Sequence, residues 1–358
     1  MSVAFNSGPA GVPLARILVA FFATRNGRPT RHPRARTLAS SPGNSFGERF
    51  HDLWRADRHG LELDITSAQN AKVKLMSRSF QKRRTRDGEG KTLVEGHRLV
   101  CDLIEAGHKP ALVIVSYEAL GASPGPRLQA ALETLSADVV SVAPSEVVQR
   151  CCDTVTPQGV VALVARPVLP LPAVLQTVLI CDGIQDPGNL GTLVRTAAGL
   201  GVDAVVLTGT CVDYWAPKTV RSSMGASFRL PSLRLDSWDE VVELMRSRGV
   251  RMYAAEGTAS VSYYDADWTS PSALVVGAEA RGLGGAARQG LESGEIVGVS
   301  VPLEGGVESL NAAVAGAIVL GEAQRQRAMV GRVGGGDGGG GGGGGLGGGG
   351  SGGGAIAQ

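Results

Sequence analysis

Between residues 176 and 327 short runs of aliphatic and β-branched residues alternate with stretches of helical spacing, and this alternation narrows the possible folds more than any other feature of the chain. The runs are TVLICD (177–182), AVVL (204–207), RMYAA (251–255), SALVVGAE (272–279) and IVGVSVP (296–302). Most are apolar at successive positions instead of every second one, the pattern of strands buried on both faces. Helical stretches such as LGTLVRTAAGLG and WDEVVELMRSRG stand between them, and ESLNAAVAGAIVLGEAQRQR (308–327) closes the segment as a long helix with a small apolar face. A parallel strand pair needs a long crossover, which such helices supply. The expected fold class is α/β, a mostly parallel sheet covered by helices on both sides.

Upstream, the proline cluster Pro167, Pro170 and Pro172 marks a linker. The part before it, from about residue 59, has helical spacing over 71–80 and 97–106 and strand patterns at 111–116, 139–142 and 159–165. It also holds Lys72, Lys74, Arg78, Lys82, Arg83, Arg84, Arg86 and Lys91 against only Asp87 and Glu89. Such a local excess on a body without net positive charge favours a phosphate backbone as partner, the plain alternative being a solvated helix face.

The two ends carry no core pattern. Residues 1–58 hold nine Arg and no acidic residue before Glu48, amid Ser, Thr and Pro. That composition reads as an organelle transit peptide; a cytosolic tail is the alternative, and a secretory signal would place its charges ahead of the apolar run at 17–23. Residues 331–354 include 19 of the chain's 52 Gly, a stretch with nothing to bury and much backbone entropy to lose. The longest apolar runs fall short of the ~20 residues of a membrane-spanning helix. Five Cys without a C-x-x-C pair argue against a disulfide framework and a zinc site, and no metal is expected. The adjacent Cys151 and Cys152 read as two buried thiols.

Three glycine-bearing turns lie at the carboxyl ends of the second-half strands, where open α/β sheets hold ligands. They are DPGNLGTLVR, VVGAEARGLG and VPLEGGVESLN. None contains G-x-G-x-x-G or a P-loop, which disfavours a nicotinamide or flavin oxidoreductase and a nucleotide triphosphatase. All five histidines precede residue 109, so a Ser-His-Asp or Cys-His hydrolase would have to borrow its base from the other part of the chain. What remains is a site of Arg, Glu, Ser, Asn and backbone amides, suited to a polyanion and an adenosine-like ligand.

The segments CDGIQDPGNLGTLVRTAAGLG, LVVGAEARGLG and VSVPLEGGVESLNAAVAGAIVLGEAQRQR resemble the three ordered motifs of the SpoU/TrmH family of RNA ribose 2'-O-methyltransferases, in the SPOUT superfamily. The intervening APKTVRSSMGASFRLP is similar to that family's linking segment, and the resemblance covers about residues 60–328. It implies a knotted catalytic domain, with a deep trefoil, preceded by a small α/β RNA-binding substrate domain, and a homodimer with sites at the interface. It implies the cofactor S-adenosyl-L-methionine, with Gly277, Val301 and Leu310 at the matching cofactor positions. Arg195 matches the family's catalytic arginine, and Asn189, Glu279, Ser309 and Asn311 its supporting polar groups. Lys218 and Arg221 are candidate RNA contacts beside Lys72, Lys74, Arg78, Lys82, Arg83, Arg84 and Arg86. A free guanidinium keeps its proton to above pH 12, so Arg195 is better suited to orienting the hydroxyl and its phosphate than to acting as the base. The residues alone leave other uses open: core for Val301 and Leu310, an ion pair for Arg195, caps for Asn189, Glu279, Ser309 and Asn311. Leu303, Ala312, Ala313 and Ser222 depart from the family's usual residues without removing a group the chemistry needs.

The expected division is a presequence (1–58), an RNA-binding domain (59–166), a linker (167–175), a methyltransferase domain (176–328) and a glycine-rich tail (329–358). The expected substrate is organellar rRNA, ahead of tRNA, and the expected compartment the chloroplast, ahead of the mitochondrion. A non-catalytic RNA-binding factor for ribosome assembly is the rival reading.

Overall fold

The structure, a computed structural model, describes residues 63–121, 126–152, 154 and 156–333. The presequence and the stretch beyond residue 333 lie outside the described residues. The first half contains α1 (Ala71–Gln81), α2 (Arg83–Glu89), β1 (Lys91–Glu95), α3 (His97–Glu105), β2 (Pro110–Ser116), α4 (Tyr117–Gly121), α5 (Pro126–Glu133), β3 (Val140–Ala143), α6 (Ser145–Gln149) and β4 (Val160–Ala165). Its four-stranded sheet runs β1-β4-β2-β3, with only the β2–β3 pair parallel. Leu93, Ile114 and Leu163 face Val73 and Met76 of α1, while Val94, Val113 and Ala162 face Leu99 and Leu103 of α3 and Leu128 of α5. Strand β1 carries no strand pattern in the sequence: Thr92, Leu93 and Val94 lie between Lys91 and Glu95, too short a run to show a period, and only pairing with β4 defines it.

The second half contains β5 (Thr177–Asp182), α7 (Pro187–Gly199), β6 (Ala204–Thr208), α8 (Pro217–Ser222), β7 (Ser232–Leu235), α9 (Trp238–Ser247), β8 (Arg251–Ala255), β9 (Val261–Ser262), β10 (Ser272–Gly277), α10 (Gly285–Glu292), β11 (Ile296–Ser300) and α11 (Ala312–Val333). Seven strands pair in the order β7-β6-β5-β10-β8-β11-β9, all parallel. Leu179, Cys181 and Val276 pack under α7 and α11, and Val178, Ile180 and Val275 under α9 and α10, so the central strands are apolar throughout because both faces are covered. The edge strands β7 and β9, short and half-buried, carry no such run, so the sequence pattern does not mark them.

Two boundaries of the last helix differ from expectation. Asn311 Oδ1 accepts from Ala313 N at 2.9 Å and Val314 N at 3.3 Å, which starts α11 at Ala312 and leaves residues 308–310 in a loop. At the other end α11 continues to Val333, beyond residue 328.

The small sheet is docked on the segment 211–230 of the second half. Val220 and Phe228 join the core of the small domain, with Trp215 packed alongside. His108 meets the Phe228 ring edge-on at 5.1 Å, and Thr92 Oγ1 donates to the Trp215 carbonyl at 2.8 Å. The Arg86 guanidinium holds Asp213, and Arg221 reaches Glu95 at 3.2 Å. Gly225 turns with φ 75°, and a Cβ there would lie 2.8 Å from Leu99 Cδ1.

Candidate active site

The carboxyl ends of β5, β6 and β10 are tied together by one buried carboxylate. Asp182 Oδ2 accepts from Gly284 N at 2.7 Å and Oδ1 from Thr208 Oγ1 at 3.2 Å. The loop after β10 then folds back on itself: Ala278 and Gly282 exchange two backbone hydrogen bonds of 2.8 Å. This brings Gly282 and Leu283 so close that a Cβ on Gly277 would sit 2.4 to 2.6 Å from their backbone atoms. Glycine is therefore required at 277 by the chain's own approach, independent of any ligand.

Helix α7 begins at Asp186, whose side chain accepts from Gly188 N, with Pro187 in the first turn. Asn189 is thus not the cap that its position allowed, and its amide is free to work sideways. Asn189 Nδ2 donates to Glu279 Oε1 at 2.7 Å, and Asn311 Nδ2 donates to Asn189 Oδ1 at 3.0 Å. Three side chains from three separate motifs form one hydrogen-bonded chain, and Asn311 serves it while also capping α11. Gln185 N donates to Glu279 Oε2 at 3.5 Å, and its side chain donates to the Gly183 and Thr210 carbonyls at 2.9 and 2.6 Å. Partial burial pushes the Glu279 carboxyl up, but the Asn189 amide and the backbone N–H groups of Glu279, Gln185 and Asp186 outweigh it and hold the carboxyl below its ordinary range.

Arg195 lies six residues beyond Asn189, roughly 9 Å along α7. It is exposed and has no hydrogen bond or ion pair among the described residues. Ser309 is exposed in the loop 301–311, which turns at Gly305 and Gly306 (φ 68° and 72°), and it does not join the Asn189 network. Val301 and Leu310 are half-buried, Val301 against the core of the large sheet.

Lys218 stands at the mouth of this region, 3.4 Å from Asp186 Oδ1. On the small domain Lys74, Lys82 and Arg84 are exposed, with no side-chain partner among the described residues. Arg78 donates to the Lys74 carbonyl on its own helix, Lys72 to Ser141 Oγ at 2.8 Å, and Arg83 to Asp87 at 3.3 Å. Arg86, expected among the RNA contacts, is instead turned inward. Its side chain is 5% exposed, bonded through Nε and Nη2 to Asp213 and through Nη1 to the Ser79 and Phe80 carbonyls, so no face is left for a phosphate. Arg221, 30% exposed, is committed to Glu95 and serves the domain contact first.

Gln185 and Asp182 lie outside the residues that the motifs single out. Asp182 ends a strand run and could have been singled out as a buried carboxylate at a carboxyl edge; nothing in the sequence distinguishes Gln185. All five cysteines are free thiols, and burial pushes Cys151 and Cys152 up to about 12. Cys151 is buried as expected, whereas Cys152 is only half-buried. Among the described residues no helix is long and apolar enough to cross a membrane.

A parallel α/β sheet whose carboxyl edge gathers Asn, Glu and backbone amides beside an unpaired arginine defines a ligand-binding enzyme domain, here joined to a basic substrate module. The model of the SpoU rRNA Methylase family matches residues 176–321, and that of the MRM3-like substrate binding domain residues 70–162. The rRNA methyltransferase 3A, mitochondrial, of Danio rerio is 34% identical over 320 residues, covering 76% of this chain and 72% of that protein. The 23S rRNA (guanosine(2553)-2'-O)-methyltransferase RlmP of Bacillus subtilis is 35% identical over 265 residues, covering 72% and 97%. The crystal structure of the SpoU methyltransferase AviRb from Streptomyces viridochromogenes in complex with AdoMet superposes with a TM-score of 0.62 at 27% identity, over 73% of this chain and all of that one (100%). The chain belongs to the SpoU rRNA methylase family.

Proposed function

We propose that this protein transfers a methyl group from S-adenosyl-L-methionine to a ribose 2'-hydroxyl of organellar rRNA. The observation that carries the reading is the hydrogen-bonded set of Asn189, Glu279 and Asn311 at the carboxyl edge of the parallel sheet, on and around the helix that bears Arg195. Membership of the family and the rRNA 2'-O-methylation in the relatives' names support the same reaction.

The residues present fit the cofactor. Val301 and Leu310 offer half-buried apolar surface for an adenine, and the loop 301–311 has backbone groups outside any strand or helix. Glu279, held ionised by its hydrogen bonds, puts a negative charge near a ligand that carries a positive sulfonium. When bound, S-adenosyl-L-methionine supplies an electrophilic methyl carbon. This chain's residues then do the positioning: the Asn189 amide holds Glu279 and Asn311 in register, and Arg195 donates to the ribose hydroxyl and the neighbouring phosphate. An unpaired, exposed guanidinium suits that role, because binding the anion breaks no existing ion pair.

The finer topology belongs to the same proposal: a deep trefoil knot in residues 176–328, and a homodimer with sites at the interface. Residues 59–166 would bring the RNA through Lys72, Lys74, Arg78, Lys82, Arg83 and Arg84, joined by Lys218 of the large domain, with 167–175 as linker. Residues 1–58 would direct import, into the chloroplast in our reading. The Danio rerio relative is named mitochondrial, which supports an organelle without choosing between the two. A fluorescent fusion of residues 1–58 distinguishes them by where it accumulates.

The full chain, labelled S-adenosyl-L-methionine and transcripts of organellar rRNA and tRNA test the reaction. Label on a single ribose 2'-oxygen of rRNA is expected. Binding of both ligands with no label in naked or ribosomal RNA would replace the reading by a non-catalytic assembly factor.

A further inference from the structure

The small domain has an open hollow of about 580 Å³, within the ~300–1,000 Å³ range of ligand sites, away from the Asn189 network. Lys74 and Arg78, one turn apart on the exposed side of α1, line it together with Arg150, which caps the carboxyl end of α6. Ser77 and Gln69 add a hydroxyl and an amide, and the buried Val73 gives it an apolar floor. Among the described residues no carboxylate lines it. Lys74 and Arg150 have no side-chain partner among the described residues, so three positive charges converge without compensation.

The chemistry of this lining separates ligands. Three cations and no anion attract phosphate. Among the described residues the lining has no aromatic ring to stack a base and no carboxylate to accept from an exocyclic amine, so it offers no equipment for nucleobase readout. Arg150 lies far outside the basic run of 72–91, and no linear charge count would join it to Lys74 and Arg78. The fold does so by packing Val147 and Val148 of α6 and Val73 of α1 into one core.

We propose that this hollow is an anchor for backbone phosphodiesters of the RNA substrate, with Arg150 completing it. The proposal rests on the reading of this protein as an RNA methyltransferase, and assigns its small domain a defined backbone site. Such an anchor fixes the register of the strand without reading its sequence, leaving selection to shape and to the catalytic edge.

The test uses the full chain, a fluorescent single-stranded fragment of organellar rRNA and the matching duplex. Arg150→Glu, Arg150→Lys and, as an exposed charge outside the hollow, Arg98→Glu are compared with the parent. Arg150→Glu is expected to weaken single-strand binding about tenfold and to lower the salt slope by roughly 0.7 or more, since each phosphate contact on a single strand contributes about that much. Arg150→Lys retains most affinity, Arg98→Glu changes it less than about twofold, and cofactor binding is the same in all four. Equal losses from Arg150→Glu and Arg98→Glu, Arg150→Glu unchanged on both the single strand and the duplex, or a parent that binds no RNA would each overturn the anchor. If RNA binding responds as expected while the parent transfers no methyl group, the anchor stands and the methyl-transfer reading falls.

Discussion

At the seam between the two sheets Arg86 and Asp213 expose only 5% and 13% of their side chains, and Arg86 makes four hydrogen bonds inside the chain. At the edge of the large sheet Arg195 is exposed and has no partner among the described residues. The same side chain therefore does opposite work in two places. A guanidinium buried against a carboxylate locks geometry and is costly to disturb, whereas one left in solvent keeps its donors for a ligand that arrives later. The small domain is thus held in place by matched internal charges, while the carboxyl edge of the large sheet keeps an open valence.

The seam should break most expensively. Asp213→Ala leaves a buried guanidinium without its anion and is expected to destabilise the protein by about 3–5 kcal/mol, read by urea unfolding. The double replacement Arg86→Met with Asp213→Leu should cost much less, because no charge is left stranded. A double variant as unstable as the single one would mean that packing, and not the unpaired charge, dominates the seam.

Gly277→Ala comes next. Its Cβ meets backbone that Asp182 and the Ala278–Gly282 pair hold fixed, so about 1–3 kcal/mol is lost and Glu279 is misplaced. Gly199→Ala, with nothing within 4 Å, should leave thermal stability unchanged or slightly raised. Asn189→Ala removes the link between Glu279 and Asn311 and should lower turnover about tenfold with little change in stability, in contrast to any seam variant.

The smallest effect concerns pH. Burial, and then the charge of Arg229, hold His108 below its ordinary value of 6.5, where its ring packs on Phe228. Below pH 6.5 the unfolded chain takes up this proton before the folded one does. Its contribution is complete above that pH and is lost as pH falls toward the folded value. His108→Gln should flatten stability over that window, and an unchanged slope would remove His108 from the seam's energetics.

The contrast between the regions also explains what could be read in advance. The central strands were legible because both faces are covered, so apolar runs such as TVLICD are unbroken. Strand β1 was not, since its identity comes from pairing with residues seventy positions away. Asn189, Glu279 and Asn311 were found as members of motifs, but their mutual bonding depended on Asp186 taking the cap. Arg86 looked like its neighbours in the basic run, and only the fold turns it inward to Asp213. Charge in a sequence counts cations; which of them stay in solvent is decided by tertiary packing.

The most direct test compares the parent with Arg195→Ala in methyl transfer from labelled S-adenosyl-L-methionine to rRNA, alongside thermal unfolding and cofactor affinity of both. An unpaired arginine held ready for substrate predicts a loss of about 100-fold or more in transfer, with stability and cofactor binding unchanged. Transfer that survives the substitution, or falls only in step with stability, would contradict that assignment.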